Sequence, residues 1–370
     1  MTDALLGEVT IVSNETHLPY DLPPLSKELL RGETDAEKVR IKPAEFYDEQ
    51  QITLRLGRGA AHVDTAAYTV SLTDETVLGY DQLVIATGLV PRRIPTLPDL
   101  DGICVLRSLD DALSLRRQAA SARQAVVVGA GFIGCEVAAS LRGLGVDVVL
   151  VEPAPTPLAS VLGEQVGTLV ARLHQANGVD VRTGTGVAQV KGSGRVEAVV
   201  LTDGSEVLAD LVVVGIGSRP ATDWLTGSGI DVDNGVICDA SGRTSAPHVW
   251  ALGDVAAWRN RLNQLVRVEH WSNVADQARI LVSAMCELDS VSRAAVPYFW
   301  SDQYDVKIQH LGESHAVDAV HLVEDDGHKF LAYYERGGAV VGVVGAGIPE
   351  KVRQARAMIS SAAPISELLG

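Results

Sequence analysis

The chain is short of positive charge. It carries 31 Lys and Arg against 47 Asp and Glu, a formal charge of −16. Non-specific phosphate binding needs clustered Lys and Arg, so nucleic acid and an anionic membrane surface are poor partners, and an acidic partner must find a local basic patch. Long apolar runs are missing too. The longest candidate, residues 125–141, contains Glu136 and turns at its glycines, so it does not reach spanning length. Met1-Thr2-Asp3 offers neither a basic region nor a signal-like apolar core, which predicts a cytoplasmic protein. The four cysteines, Cys104, Cys135, Cys238 and Cys286, form no CxxC or CxxxxC spacing, which excludes a disulfide framework or a zinc site. Cys135 reads as a small buried hydrophobe. What remains is a 370-residue chain, 46% hydrophobic and 21% charged, long enough for two or three globular domains.

The most informative run is Gly129-Ala130-Gly131-Phe132-Ile133-Gly134. It follows the β-branched Ala125-Val126-Val127-Val128 and opens an apolar helical stretch over 132–144, the strand-turn-helix context a dinucleotide fingerprint requires. Gly129 permits the tight turn, Gly131 lets backbone approach a pyrophosphate, and Gly134 lets the helix lie close to the sheet. The helix N-terminus then offers N–H groups and a positive dipole end to the phosphates. The next strand, over 147–151, ends at Glu152, about where an acidic residue hydrogen-bonds the adenosine ribose. A carboxylate there repels a 2′-phosphate and no Arg follows closely, which predicts NADH over NADPH. The fingerprint is flanked by Ala86-Thr87-Gly88 before it and Gly253-Asp254 after it. That nesting points to a protein with two dinucleotide sites, the outer one for a flavin.

Alternating patterns give the organisation. Strands are expected over 8–12, 69–72 and 82–86, with turns at Pro19, Pro23 and Pro24 and a helix beginning near Ser26. A βαβ nucleotide domain follows, with a β-meander over 179–201 and a return strand over 211–214. The chain then re-enters the first domain through 249–252, followed by a helix over 273–287. Strands over 306–310, 316–322, 329–335 and 339–344 and a helix over 349–361 close the chain. The expected fold is α/β, with two nested Rossmann-like FAD/NAD(P)-binding domains and a C-terminal α+β domain. The domain bounds are 1–95 with 215–293 for FAD, 96–214 for NADH, and 294–370 for a reductase dimerisation-like domain.

Five further runs, in order, carry a resemblance over essentially the whole chain: His17-Leu18-Pro19-Tyr20-Asp21-Leu22-Pro23-Pro24-Leu25-Ser26-Lys27, Tyr80-Asp81-Gln82-Leu83-Val84-Ile85-Ala86-Thr87-Gly88, Leu106-Arg107-Ser108-Leu109-Asp110-Asp111-Ala112, Ala251-Leu252-Gly253-Asp254 and Pro297-Tyr298-Phe299-Trp300-Ser301-Asp302-Gln303-Tyr304. The sequence resembles the NADH-dependent ferredoxin reductases, FAD-containing partners of bacterial cytochrome P450 and ring-hydroxylating dioxygenase systems. The resemblance implies that Lys27 sits near flavin N5 and O4, where a fixed cation stabilises the arriving negative charge. It implies that Asp254, helped by Gly253, holds the ribityl chain, that Ala86, Thr87 and Gly88 belong to the same FAD site, that Arg107 contacts FAD and that Ala60 passes against the adenine. Glu269, His270 and Trp271 lead into a helix start aimed at flavin N1 and O2. Trp271 and Trp300 line the flavin edge facing the acceptor. Glu136 receives the nicotinamide carboxamide and so fixes the ring for hydride transfer, and Gly217 helps close the far side of the NADH cleft. A redox thiol beside the flavin, which disulfide- or peroxide-reducing enzymes need, is not found in the early segments.

The sequence departs from that family at its start. The family begins with a strand, a first GxGxxG and a helix for the FAD pyrophosphate; here the strand over 8–12 already corresponds to the second strand. Asn14 falls at the expected acidic ribose ligand, with Glu15 one step beyond. The expectation is that about 30 residues carrying the FAD phosphate loop are missing, the size of an opening βα unit. The reading is a flavoprotein passing electrons from NADH through FAD to a small iron–sulfur ferredoxin or rubredoxin, docked on a basic surface to which Arg92, Arg93 and Lys307 contribute, in a monomer or weak homodimer with no metal. The alternative is a truncated, flavin-poor NADH-binding protein without redox activity.

Overall fold

A computed structural model describes residues 7–260, 263–288, 296–315 and 317–369. The chain divides into two compact units, one from Met1–Asp21, Glu37–Val90 and Ser218–Ala294, the other from Leu22–Ala36, Pro91–Gly217 and Ala295–Gly370.

In the second unit the β-branched run becomes the strand Gln124–Val128, at the centre of a five-stranded parallel sheet. Asp147–Glu152 and then Asp180–Thr183 lie on one side of it, Leu211–Val214 and then Ile103–Cys104 on the other. Parallel strands buried on both faces read as continuous apolar runs, and Leu211–Val214 and the interiors of Gln124–Val128 and Asp147–Glu152 do. The period of two still sorts their side chains. Ala125, Val127, Val148, Leu150, Leu211 and Val213 join a core with Leu115, Val137, Leu141 and Leu162 from the helices Leu109–Ala119, Phe132–Gly143 and Ala159–Ala176. Their alternates Val126, Val128, Val149, Val151, Val212 and Val214 pack with Val190, Val199 and Val207 of an antiparallel three-stranded sheet, Val187–Gly192, Val196–Leu201 and Glu206–Leu208. A meander therefore covers the sheet face opposite the helices. It starts later than the sequence suggests. Asp180–Thr183, expected to open it, pairs in parallel with Asp147–Glu152 instead. A four-residue strand reads alike in either sheet, and only its long-range pairing decides.

The C-terminal part of this unit is a five-stranded antiparallel sheet in the order Tyr298–Gln303, Val306–Gly312, Ala339–Ala346, Phe330–Arg336, Ala319–Asp325. Phe299, Ile308, Phe330, Ala332, Tyr334 and Val344 belong to the helix-side core, while Leu311, Leu331, Tyr333 and Val343 pack with Val352 and Ala355 of the helix Pro349–Ser360. The strand expected over 316–322 is Ala319–Asp325, and Ala316 lies outside the described residues, as does the expected boundary at 293/294.

In the first unit, Val9–Val12 pairs in parallel with Ile52–Arg55, and Leu83–Ile85 with Val249–Ala251, as separate two-stranded sheets. It also holds an antiparallel sheet of three strands (Ala60–Asp64, Thr69–Leu72, Val77–Gly79) and a mixed sheet of four (Val232–Asp233, Gly235–Cys238, Ala256–Arg259, Leu265–Arg267), in which Gly235–Cys238 and Ala256–Arg259 run parallel and the outer pairs antiparallel. Its core gathers Val63, Leu72, Ile85, Trp250, Trp258 and Leu281. The helix expected over 273–287 runs Trp271–Met285.

Candidate active site

The fingerprint loop has the geometry its glycines predict. Gly129 has φ +96°, and a Cβ there would meet the Gly215 carbonyl oxygen at 2.4 Å. A Cβ on Gly134 would lie 1.9 Å from the Gly129 carbonyl oxygen, so helix and turn touch through bare backbone. Gly131 differs: it is exposed, and a Cβ there would find nothing within 4 Å. Open space beside Gly131, at a helix N-terminus with no side-chain cap and no acid in its first turn, fits a dinucleotide pyrophosphate. Ile133 is 47% exposed, while Phe132 is half-buried and meets Phe299 edge-on at 4.8 Å. Glu152 ends its strand half-buried. Its two oxygens accept from the Ala130 N–H at 2.7 Å and the Ala154 N–H at 2.9 Å, so it also ties the loop to the strand end. Gly217 has φ +86°, and its carbonyl accepts from the Arg92 N–H at 2.9 Å.

Lys27 and Glu136, 109 residues apart, meet in the second unit with Nζ–Oε2 at 2.7 Å, at 5% and 3% exposure. The turn Pro23–Ser26 delivers Lys27, whose ammonium also donates to the Pro23 carbonyl at 2.9 Å. Glu136 projects from the fingerprint helix two positions after Gly134. Its Oε2 accepts from Ser26 Oγ at 2.5 Å and its Oε1 from Ser301 Oγ at 2.8 Å. Two buried charges stay ionised only when paired and hydrogen-bonded, and every contact here does that. A cation so held beside the fingerprint helix is suited to steady an electron-rich ring. Ser26 and Ser301 escaped sequence reasoning because nothing in their spacing announces a carboxylate partner. Ser108 and Asp111 were legible as an S-x-x-D box, which the sequence reading passed over: the Ser108 hydroxyl accepts from the Asp111 N–H at 3.1 Å and the Asp111 carboxylate from the Ser108 N–H at 3.0 Å. The same carboxylate receives the Arg107 N–H at 3.1 Å, and the Arg107 residue is half-buried.

Trp300 is half-buried, stacked on Tyr298 at 6.0 Å, with Lys307 Nζ 5.6 Å from its ring centroid. Lys307 also pairs with Asp302 at 2.8 Å, which spends part of its charge, while Arg92 and Arg93 are exposed.

The remaining residues singled out for FAD belong to the first unit. Asn14 is exposed and Glu15 half-buried, its carboxylate accepting from Tyr20 OH at 2.6 Å. Ala60 opens its strand half-buried. Ala86 and Thr87 are exposed after the strand Leu83–Ile85, and Thr87 Oγ1 donates to the Ala221 carbonyl at 2.9 Å, next to Gly88 at φ +65°. Gly253 has φ +75° and donates its N–H to Gln277 Oε1 at 2.8 Å, which sets the turn carrying half-buried Asp254. Glu269 pairs with Arg267 at 2.5 Å, His270 is the N-cap residue of the helix Trp271–Met285, and Trp271 is 38% exposed. Burial pushes the His270 imidazole down to about 4, against the pull of Glu269. That helix begins without a side-chain cap or first-turn acid, a donor set that fits the oxygen-rich edge of a flavin. The sequence contains a single Gly-x-Gly-x-x-Gly, the loop at Gly129, so the described residues fit a flavin's ring and ribityl ends and supply no second glycine loop for its phosphates.

The thiols sit in apolar surroundings. Burial pushes Cys104 up to about 11 and Cys238 to about 12, and raises Cys135 further, so none of these is a ready nucleophile.

Comparison with known proteins places this architecture. Residues 3–278 match the family described as pyridine nucleotide-disulphide oxidoreductase, and residues 298–368 match the domain described as reductase C-terminal. Rhodocoxin reductase of Rhodococcus erythropolis is 36% identical over 365 residues, covering 97% of this chain and 85% of that protein. A ferredoxin–NAD(P)+ reductase of a Sphingomonas species is 38% identical over 341 residues, covering 90% and 82%. The solved covalent complex of putidaredoxin reductase with putidaredoxin superposes with TM-score 0.94 at 33% identity, covering 98% of this chain and 89% of that one. The chain belongs to the pyridine nucleotide-disulphide oxidoreductase family, among its FAD-dependent ferredoxin reductases.

Proposed function

We propose that this chain carries electrons from NADH through FAD to a small iron–sulfur protein, a ferredoxin or rubredoxin that serves a P450 or dioxygenase. The observation that carries the reading is the buried Lys27–Glu136 pair on the helix that starts at the dinucleotide loop. FAD supplies the two-electron to one-electron conversion, because NADH gives electrons in pairs and an iron–sulfur centre takes them singly. Gly129, Gly131 and Gly134, with Phe132 and Ile133, receive the NADH pyrophosphate, and Gly217 borders the same cleft. Glu152 accepts from the adenosine ribose with the lone pairs its backbone bonds leave over and disfavours the 2′-phosphate of NADPH. Glu136 orients the nicotinamide and Lys27 steadies negative charge on the flavin ring. Asn14, Glu15, Ala60, Ala86, Thr87, Gly88, Arg107, Gly253, Asp254, Glu269, His270, Trp271 and Trp300 are the residues we assign to FAD. Residues 1–95 with 215–293, 96–214 and 294–370 are the corresponding domains, and the compartment is the cytoplasm. The raised cysteines favour this reading over a disulfide or peroxide reductase.

The test is anaerobic mixing of FAD-loaded protein with NADH or NADPH while the flavin absorption band is followed, then addition of an iron–sulfur acceptor or oxygen. Bleaching by NADH in preference to NADPH, with faster reoxidation by the iron–sulfur protein than by oxygen, is expected. Protein that takes up FAD and is not bleached by NADH would sink the proposal.

A further inference from the structure

Glu136 has two carboxylate oxygens, and different parts of the chain hold them. Oε2 faces Lys27 and Ser26, close together in sequence, while Oε1 accepts from Ser301 Oγ at 2.8 Å, 165 residues away on the strand Tyr298–Gln303 of the C-terminal sheet. Ser301 and Gln303 are both 0% exposed. Two positions apart on one strand, they share a face, and Gln303 Nε2 donates to Ser301 Oγ at 3.1 Å. A hydroxyl has a single proton to give. With Gln303 donating to its oxygen, Ser301 directs that proton to Glu136. Beyond Gln303 lies His174, also 0% exposed, with Nδ1 2.8 Å from Tyr304 OH. Burial pushes the His174 imidazole down to about 4. The hydrogen-bonded row therefore runs from Lys27 through Glu136 and Ser301 to Gln303, and the charged groups in it are Lys27 and Glu136.

We propose that Ser301, aimed by Gln303, is a positioning residue for the redox site: it fixes the rotation of the Glu136 carboxylate and through it the place of the Lys27 ammonium. The C-terminal sheet thereby serves the electron-transfer chemistry by orientation, besides whatever contacts it makes with partners. The inference rests on the reading of Lys27 and Glu136 given above. Ser301 itself touches neither nucleotide in this role; it acts through Glu136.

The experiment compares FAD-loaded wild type with Ser301→Ala, Ser301→Cys and Gln303→Met. It measures the limiting rate of flavin reduction and the NADH dissociation constant by rapid mixing, the thermal midpoint, and the crystal structure of Ser301→Ala. Misplacement of a positioned group costs rate more than binding, so Ser301→Ala should lower the limiting rate about tenfold while the NADH constant moves less than about twofold. Ser301→Cys, which keeps the volume but donates weakly, and Gln303→Met, which keeps the length, should each lose about threefold. In the crystal the Glu136 carboxylate should be turned and the 2.7 Å contact to Lys27 lost. Wild-type limiting rates in Ser301→Ala, or an unmoved carboxylate, overturn the proposal. If Ser301→Ala does not fold, wild-type rates in both Ser301→Cys and Gln303→Met overturn it. A wild-type protein that NADH does not bleach signals failure of the functional reading instead, and the carboxylate's position in Ser301→Ala then still decides the orientation claim.

Discussion

At the scale of single residues, the second and third glycines of the fingerprint do separable jobs. Gly131 has φ −73° and ψ −175°, which any residue adopts, and open space where a Cβ would go. Gly131→Ala should leave the thermal midpoint within about 1 °C of wild type while NADH binds on the order of tenfold more weakly, because the methyl occupies pyrophosphate space. Gly134→Ala drives a methyl to within 1.9 Å of the Gly129 carbonyl oxygen. Overpacking of that kind costs about 1–3 kcal/mol or more, so its midpoint should fall by several degrees whether or not nucleotide is present. Calorimetry with an NADH titration checks both, and a Gly131→Ala protein as destabilised as Gly134→Ala would show that the loop is structural only. The cysteines give a second prediction. Cys104, Cys135 and Cys238 are buried and Cys286 half-buried, so a thiol reagent at mildly alkaline pH should label Cys286 in the native protein and the others only after unfolding.

At the scale of elements, local chemistry and long-range pairing divided the work. The helix Leu109–Ala119 starts at a reciprocal capping box between Ser108 and Asp111 and carries Arg116 and Arg117 in its last turn, so its own sequence fixes both ends. Ser108→Ala should cost about 1 kcal/mol, read as a shift in urea midpoint, and Ser108→Asp should recover most of it. The strands Gln124–Val128 and Leu211–Val214 were legible because buried parallel strands are unbroken β-branched runs. Asp180–Thr183 was assigned to the wrong sheet because its side chains are the same in either. The short strands Ile52–Arg55, Ala60–Asp64 and Val77–Gly79 and the helix Ala44–Glu49 went unread, being too brief for periodicity to separate them from loop.

For the whole molecule, acid should be the weak side. His174 in the second unit and His270 in the first are both pushed from 6.5 down to about 4, chiefly by burial. Between those values the unfolded chain binds protons that the folded chain refuses, so stability is complete above about pH 6.5 and is lost as pH falls towards 4. His174 alone accounts for on the order of 3 kcal/mol across that window. The thermal midpoint should therefore drop steadily from neutral pH to about pH 4.5, and His174→Gln should flatten the curve even though it lowers the plateau. A midpoint unchanged over this range would mean that both imidazoles become protonated without unfolding.

The sequence by itself determined the dinucleotide loop, the helix it opens, the acidic end of the next strand and the order of the family motifs, because each of these is a short-range constraint: a positive φ, a bare backbone contact, a carboxylate at the end of a strand. Tertiary structure alone decided that Lys27 is buried, that Glu136 is its counter-ion, and that Ser301 holds the other oxygen. A lysine after Pro-Pro-Leu-Ser carries no local sign of burial. The cost of removing its charge from water is met only when a glutamate 109 residues later and a serine 165 residues beyond that arrive at the same place.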